Sequence, residues 1–156
     1  MTTERHPAQP DVPSIDPKEE LLRRVPPTFY PDPEQPRKPQ WHAFRPNQHD
    51  TDGVSVGRRQ LVASLEAFSY TPDGSKRRNV AQFRAAHVQE LGLTVEPRPL
   101  PDDRSHAVIP EMNIRDYESG GERKLAIKEW ALKLAHEHAQ MVLVLDEPDS
   151  GESISL

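Results

Sequence analysis

Apolar and polar positions alternate along this chain in short blocks, and the period changes several times. Between positions 54 and 56, Val54-Ser55-Val56 alternates like a half-buried strand, with Asp52-Gly53 as a turn signal ahead of it. From Gly57 onward Leu61, Val62, Leu65 and Phe68 recur at helical spacing, which predicts a helix. Thr71-Pro72-Asp73-Gly74 has the residues of a type I turn, and "SKRRN" follows as an exposed basic loop. "VAQFRAAHVQELG" reads as a helix capped by Asn79, with Phe83, His87 and Leu91 on one face, Gly92 at its end, and "VAQFR" open to strand as well. "LTVEPRPLPDDRSHAVIP" reads as two short strands about a turn, which Pro97, Pro99 and Pro101 keep from forming a fully paired hairpin.

The clearest period lies in "ERKLAIKEWALKLAHEHAQ". Ile127, Trp130, Ala131, Leu134 and His138 form a helical stripe, with Leu125 and Leu132 on its flank. "MVLVLDEP" suits a buried strand. These elements predict an α+β fold: a small single domain over 41–145, with a short sheet and about three helices. An acidic tail occupies 146–156.

The first forty residues change the picture. They hold ten of the 17 prolines, and proline removes backbone donors and fixes φ. Residues 1–40 therefore read as a proline-rich extended arm, partly disordered. Inside it, "PKEELLRRV" predicts a helical turn or the short strand "LLRRV". Phe29 and Tyr30 are the large apolar groups of the arm. With Arg23 and Arg24 they are the expected contacts to a protein partner, since extended arms that order on binding cover much surface for little mass.

Hydrophobic residues make up 34% of the chain and mean hydropathy is −0.81, so a modest core with polar segments outside it is expected. With no cysteine there are no disulfides, thiolate zinc sites or cysteine nucleophile. The N-terminus lacks an apolar run and no stretch approaches the ~20 apolar residues of a membrane span, so a soluble cytoplasmic protein without membrane contact is expected. The net charge of −5 is divided: residues 21–84 carry eleven basic and six acidic side chains, and residues 85–156 seven basic and fourteen acidic. The middle could attract an anion, and a nucleic acid would be met within 58–84 by Arg58, Arg59, Lys76, Arg77 and Arg78.

Candidate chemistry centres on "HAFRPNQHDTDGVSVGRRQ". His42, His49, Asp50 and Asp52 offer metal-ligand types, but their spacing matches no compact motif and aspartate before glycine is ordinary turn chemistry; neither metal nor cofactor is expected. His136 and His138 point about 200° apart on one helix and cannot chelate together. His106 reads as a strand histidine on the face of Val108, and His87 as a helix-face residue. His42, Arg45, His49 and His106 supply the residue types for metal-free RNA cleavage, the alternative catalytic set. The expectation, though, is that these side chains are dispersed and the loop is scaffolding.

Two resemblances add to this. "LLRR", "FRPNQHDTDGVSV" and "HAVIP", in that order, resemble segments of small uncharacterised bacterial proteins over roughly residues 21–112, with no activity attached. The order of an Arg24-containing first strand followed by Ser55 before a helix resembles the layout of ADP-ribosyltransferase-like toxins, although no glutamate stands in an evident catalytic motif. The functional expectation is a non-enzymatic accessory or adaptor protein that binds a protein partner. The alternatives are a small toxin-like enzyme that cleaves RNA or transfers ADP-ribose, and a nucleic-acid-binding accessory protein.

Overall fold

The structure, a computed structural model, describes residues 12–26 and 37–145. Its centre is a six-stranded sheet in the order β4-β5-β2-β1-β3-β6. The strands are β1 (Glu20–Val25), β2 (Val54–Arg58), β3 (Asn79–Arg84), β4 (Glu96–Pro97), β5 (His106–Ile109) and β6 (Gln140–Leu143), and every pair is antiparallel. The helices are α1 (Leu65–Ser69), α2 (Ala85–Glu90), α3 (Ile114–Ser119) and α4 (Gly121–Lys133). Short 3-10 turns occupy Trp41–Phe44 and Arg59–Leu61, and a π turn at Leu134–His138 carries α4 into β6. This is the small α+β domain with a sheet and a few helices that the periodicities predict.

The ends of the helices follow from local chemistry. The Ser64 hydroxyl accepts from Ala67 N at 3.0 Å and starts α1, and Asn113 Oδ1 accepts from Asp116 N at 2.8 Å and starts α3. The helix expected from Leu61 onward is interrupted, because Val62 is extended and only a 3-10 turn precedes Ser64. The helix expected from Asn79 begins at Ala85 instead. "NVAQFR" is strand β3, whose Val80, Ala81 and Phe83 are buried against both faces, and burial on both sides of a central strand outweighs the helical spacing.

Residues 20–25, inside the segment expected to be an arm, form β1 near the middle of the sheet. The compact unit therefore starts ahead of residue 41, and removing residues 1–40 would take out a central strand. β1 pairs with β3 along its whole length, from Glu20↔Arg84 to Val25↔Asn79. With β2 it pairs only through Leu21↔Arg58 and Leu22↔Gly57. Beyond Leu22 the two strands part, and this split positions the site described below.

One face of the sheet carries the larger core. Leu21, Val25, Val54, Val56, Phe83 and Ile109 pack against Phe44 of the first 3-10 turn and against Ile127, Ala131 and Leu134 of the C-terminal helix. Phe44 and Phe83 meet edge to face with centroids 5.1 Å apart. The other face carries Leu22, Phe68 and Val80, with Val62, Leu65, Val142 and Leu143 around them. There Gly57 allows close approach: a Cβ at that position would lie 2.3 Å from Phe68 Cε1. At the Asp52-Gly53 corner, Gly53 has φ +135 and its backbone lies against Ile109, so a side chain is excluded.

Arg58 is fully buried. Its Nε donates to Glu19 Oε2 at 2.5 Å and its Nη2 to Glu19 Oε1 at 3.0 Å, while Nη1 donates to the Pro13 carbonyl and Nη2 also to that of Ser14. The cation is thus matched by a forked carboxylate and two carbonyls. It ties the chain ahead of β1 to β2.

Two outcomes test this account. Glu19→Gln leaves a charge uncompensated inside and should lower unfolding stability by about 3–5 kcal/mol, read as a lower urea midpoint at unchanged slope; a change below about 1 kcal/mol would show the pair to be dispensable. Gly57→Ala must displace the Phe68 ring and should cost about 1–3 kcal/mol by overpacking.

Candidate functional site

The notch between β1 and β2 opens into a cleft of about 710 Å³. Its wall comes from three places: the second half of β1 (Arg23, Arg24), the loop after the first 3-10 turn (His42, Arg45, Asn47, His49, Asp50), and the turn after α1 (Thr71, Asp73, Ser75, Lys76, Arg78). Ser55 of β2 lies at the split.

Arg23 and Asp50 build the floor. Where β2 no longer pairs with β1, the Arg23 side chain bridges the gap. Its Nε donates to the Ala43 carbonyl at 2.9 Å, its Nη1 to the Ser55 carbonyl at 2.8 Å, and its Nη2 to Asp50 Oδ2 at 3.2 Å. Asp50 is 2% exposed. Its carboxylate also accepts from Asn47 N at 2.8 Å and Ser55 N at 3.2 Å, and its carbonyl accepts from Ile114 N. One carboxylate therefore folds the loop 47–55 onto the strand. Asp50 is engaged by a guanidinium and two amides, and Asp52 instead pairs with Arg98 at 3.4 Å.

Arg24 points to the opposite face from Arg23, as strand alternation requires. Its Nε donates to the carbonyls of Phe68 at 2.7 Å and Tyr70 at 2.9 Å, and its guanidinium carbon stands 4.1 Å from the centroid of the Phe68 ring. Burial lowers its pKa from the ordinary arginine value, with Asp103 acting in the other direction. On that same face Ser55 of β2 and His106 of β5 are diagonal neighbours across the ladder Ser55↔Val108 and Gly57↔His106. His106 Nδ1 lies 2.9 Å from the Arg98 carbonyl, which can only accept, so Nδ1 donates; Nε2 lies 3.3 Å from the Ser55 hydroxyl. Arg24, Ser55 and His106 thus lie on one face of three adjacent strands, β1, β2 and β5.

The opposite rim is a tight turn. Asp73 Oδ1 accepts from Ser75 N, Ser75 Oγ and Thr71 Oγ1 at 2.9, 2.7 and 2.7 Å. These bonds, the Ser75 amide first, hold its pKa at about 2. The His42 ring lies tilted against that of Trp41, with centroids 4.4 Å apart and planes 31° from parallel, and Trp41 also faces Lys128 and Arg45. Burial, then the Arg45 and Lys128 cations, lower the His42 pKa from 6.5. The cleft therefore sets five cations, Arg23, Arg24, Arg45, Lys76 and Arg78, against two carboxylates and adds an imidazole biased to the neutral form.

Several expectations are changed by this geometry. His42, Arg45 and His49 are not dispersed but line one cleft; His106 does not line it and reaches it through Ser55. Arg58 does not belong to an exposed basic cluster, since it is buried against Glu19. Arg59 is exposed and donates to Gln82 Oε1, away from the cleft lining, whereas Arg77 lies over Tyr70 and donates to Ser69 Oγ. Of the expected nucleic-acid set, Lys76 and Arg78 line the cleft. Of the expected partner contacts, Arg23 is spent on internal acceptors, and Phe29 and Tyr30 lie outside the described residues. Ser55 gains its weight from the split of β1 from β2, which no local pattern signals.

No family model matches the chain, and no curated protein or solved structure shows significant similarity to it. No helix among the described residues is long and apolar enough to cross a membrane.

The lowered pKa of His42 sets a pH dependence, reinforced by His138, whose pKa is lowered by burial and then by His87. Both groups take up protons more readily unfolded than folded. Their contribution is present above the unfolded value of 6.5 and is lost as pH falls through the folded values. The thermal midpoint should drop on acidification below that point, and the His42→Gln, His138→Gln variant should flatten the drop.

Proposed function

We propose that the protein is a small enzyme that binds a pyrophosphate-bearing dinucleotide in this cleft and transfers ADP-ribose from it. The observation that carries the reading is the convergence of Arg24, Ser55 and His106 on adjacent strands beside a cleft rich in cations. A volume of about 710 Å³ suits a ligand of that size, and a lining rich in cations suits one that carries phosphates. The strand order of Arg24 and then Ser55 is also the feature that resembles ADP-ribosyltransferase-like toxins. In place of a glutamate this cleft offers histidine.

In this proposal Arg24, Arg45, Lys76 and Arg78 hold the two phosphates, with guanidinium forks suited to phosphate oxygens. Ser55, held in place by His106, hydrogen-bonds a ribose hydroxyl. The bond from the ribose C1′ to the leaving base breaks, and the base departs with the electron pair. The lone pair of the acceptor then closes on C1′, and its proton passes to His42, which burial and neighbouring cations keep neutral near pH 7. The segment with Phe29 and Tyr30, which motivates docking to a protein partner, would serve to choose the acceptor.

The test is titration of the full chain with NAD, followed by assay of base release. The wild type should bind and release nicotinamide. Arg24→Ala should weaken binding by about tenfold or more, the equivalent of one lost charge-assisted contact. Ser55→Ala should slow release with little change in binding. Absence of NAD binding would overturn the proposal. So would cleavage of an RNA oligonucleotide dependent on His42 and His106, which would assign the cleft to RNA.

A further inference from the structure

A second cluster lies between α2 and the π turn, outside the cleft lining. Helix α2 presents His87 and Glu90 one turn apart, with His87 Nδ1 3.8 Å from Glu90 Oε1. His87 Nδ1 is buried and has no hydrogen-bond partner among the described residues. The third member comes from the end of the π turn. There the Ala139 amide donates back to the Leu134 carbonyl at 2.8 Å, the wide turn that sets His138 against α2. The His87 and His138 rings stack with centroids 4.0 Å apart and planes 13° from parallel. One ligand atom each from His87, Glu90 and His138 lie within 4.8 Å of one another.

The cluster therefore brings two imidazoles and a carboxylate together from two elements, with one ring nitrogen buried and unpaired among the described residues. The charges facing it are Glu90 and Glu137, with Glu137 Oε1 3.9 Å from His138 Nε2, and Lys38, whose Nζ donates to the Ala139 carbonyl. The two carboxylates outweigh the single ammonium.

We propose that His87, Glu90 and His138 form a zinc site that clamps α2 to the π turn. Two imidazole nitrogens and one carboxylate oxygen are a zinc donor set, and water completes the tetrahedron from the open side. Zinc holds nitrogen at about 2.0–2.1 Å, so its ligands would draw closer together than the 4.8 Å span seen here. Glu90 is 68% exposed at the side chain and swings in without disturbing the core. The residues come from distant parts of the chain, so the ion would bind the folded state and not the unfolded one, and stability would rise with its concentration.

The experiment is calorimetric titration of the chelator-treated full chain with zinc alone, with the thermal midpoint followed in parallel. One zinc should bind per chain and raise the midpoint. His138→Ala and His87→Ala should abolish both effects. Glu90→Gln, a substitution on an exposed side chain, should weaken zinc binding while leaving the zinc-free midpoint unchanged, so a folding defect cannot imitate the result. His136→Ala and the His42→Ala, His49→Ala double variant should bind zinc as the wild type does. No zinc binding by the wild type, zinc binding retained in His138→Ala, or zinc binding lost with His42 and His49 would each overturn the assignment.

Discussion

The cleft depends on one side chain that takes the place of a strand. Where β1 and β2 stop pairing, backbone donors and acceptors are exposed inside the molecule, and an unpaired buried group is costly. Arg23 satisfies the carbonyls of Ala43 and Ser55 and draws in the Asp50 carboxylate. Asp50 in turn takes the Asn47 and Ser55 amides. Arginine suits this task because its planar fork meets several acceptors at once, which a lysine ammonium could not do in the same directions. The split stays open without collapsing, and the residues on either side of it become the walls of a site.

Arg58 solves a different problem with the same chemistry. It lies on β2 with Val54 and Val56, whose neighbours form the larger core, yet its own surroundings are Glu19 and the carbonyls of Pro13 and Ser14. A buried ion pair adds little to stability compared with apolar packing of equal volume. What it adds here is a definite attachment for the segment leading into β1. Glu19 also accepts from the amide of Asp16, and its carbonyl accepts from Ala85 N, so the start of β1, the end of β2 and the start of α2 meet at one residue. Two buried guanidiniums, one at each end of the β1–β2 contact, thus fix how far the strands pair and where they part.

This explains what could and could not be read along the chain. The stripe of Ile127 and Ala131 in α4 and Leu134 at the start of the π turn is apolar by local spacing alone and is buried as that spacing requires. Val54-Ser55-Val56 and "HAVI" alternate and form strands, and the Asp52-Gly53 corner has the positive φ that such a corner needs. β1 was harder to read, because its two arginines look like surface residues and prolines surround it. Arg23 and Arg58 are buried only because acceptors from distant segments converge on them, and no window of sequence contains both partners. The same holds for the cleft: His42 and His49 are close in sequence, but Arg24, Lys76 and Arg78 join them only through the sheet order. The helix expected at Asn79 failed for a related reason. The spacing of Phe83, His87 and Leu91 is helical, but pairing with β1 and β6 on both sides claims the first six residues for the sheet.

The two histidine groupings sort themselves by what surrounds them. His42 stands among cations, with Arg45 and Lys128 the nearest, so a metal ion there would add positive charge to a region already rich in it. That environment favours an anion and a neutral imidazole able to take a proton. His87 and His138 stack on one another beside Glu90 and Glu137, with Lys38 as the opposing charge. The same side chain is therefore directed to different chemistry by the charges around it. The cleft opens at the β1–β2 split, while the histidine pair lies where α2 meets the π turn. The 3-10 turn that carries His42 packs on that same π turn, so it is the local charge around each ring, and not distance, that sets the two environments apart.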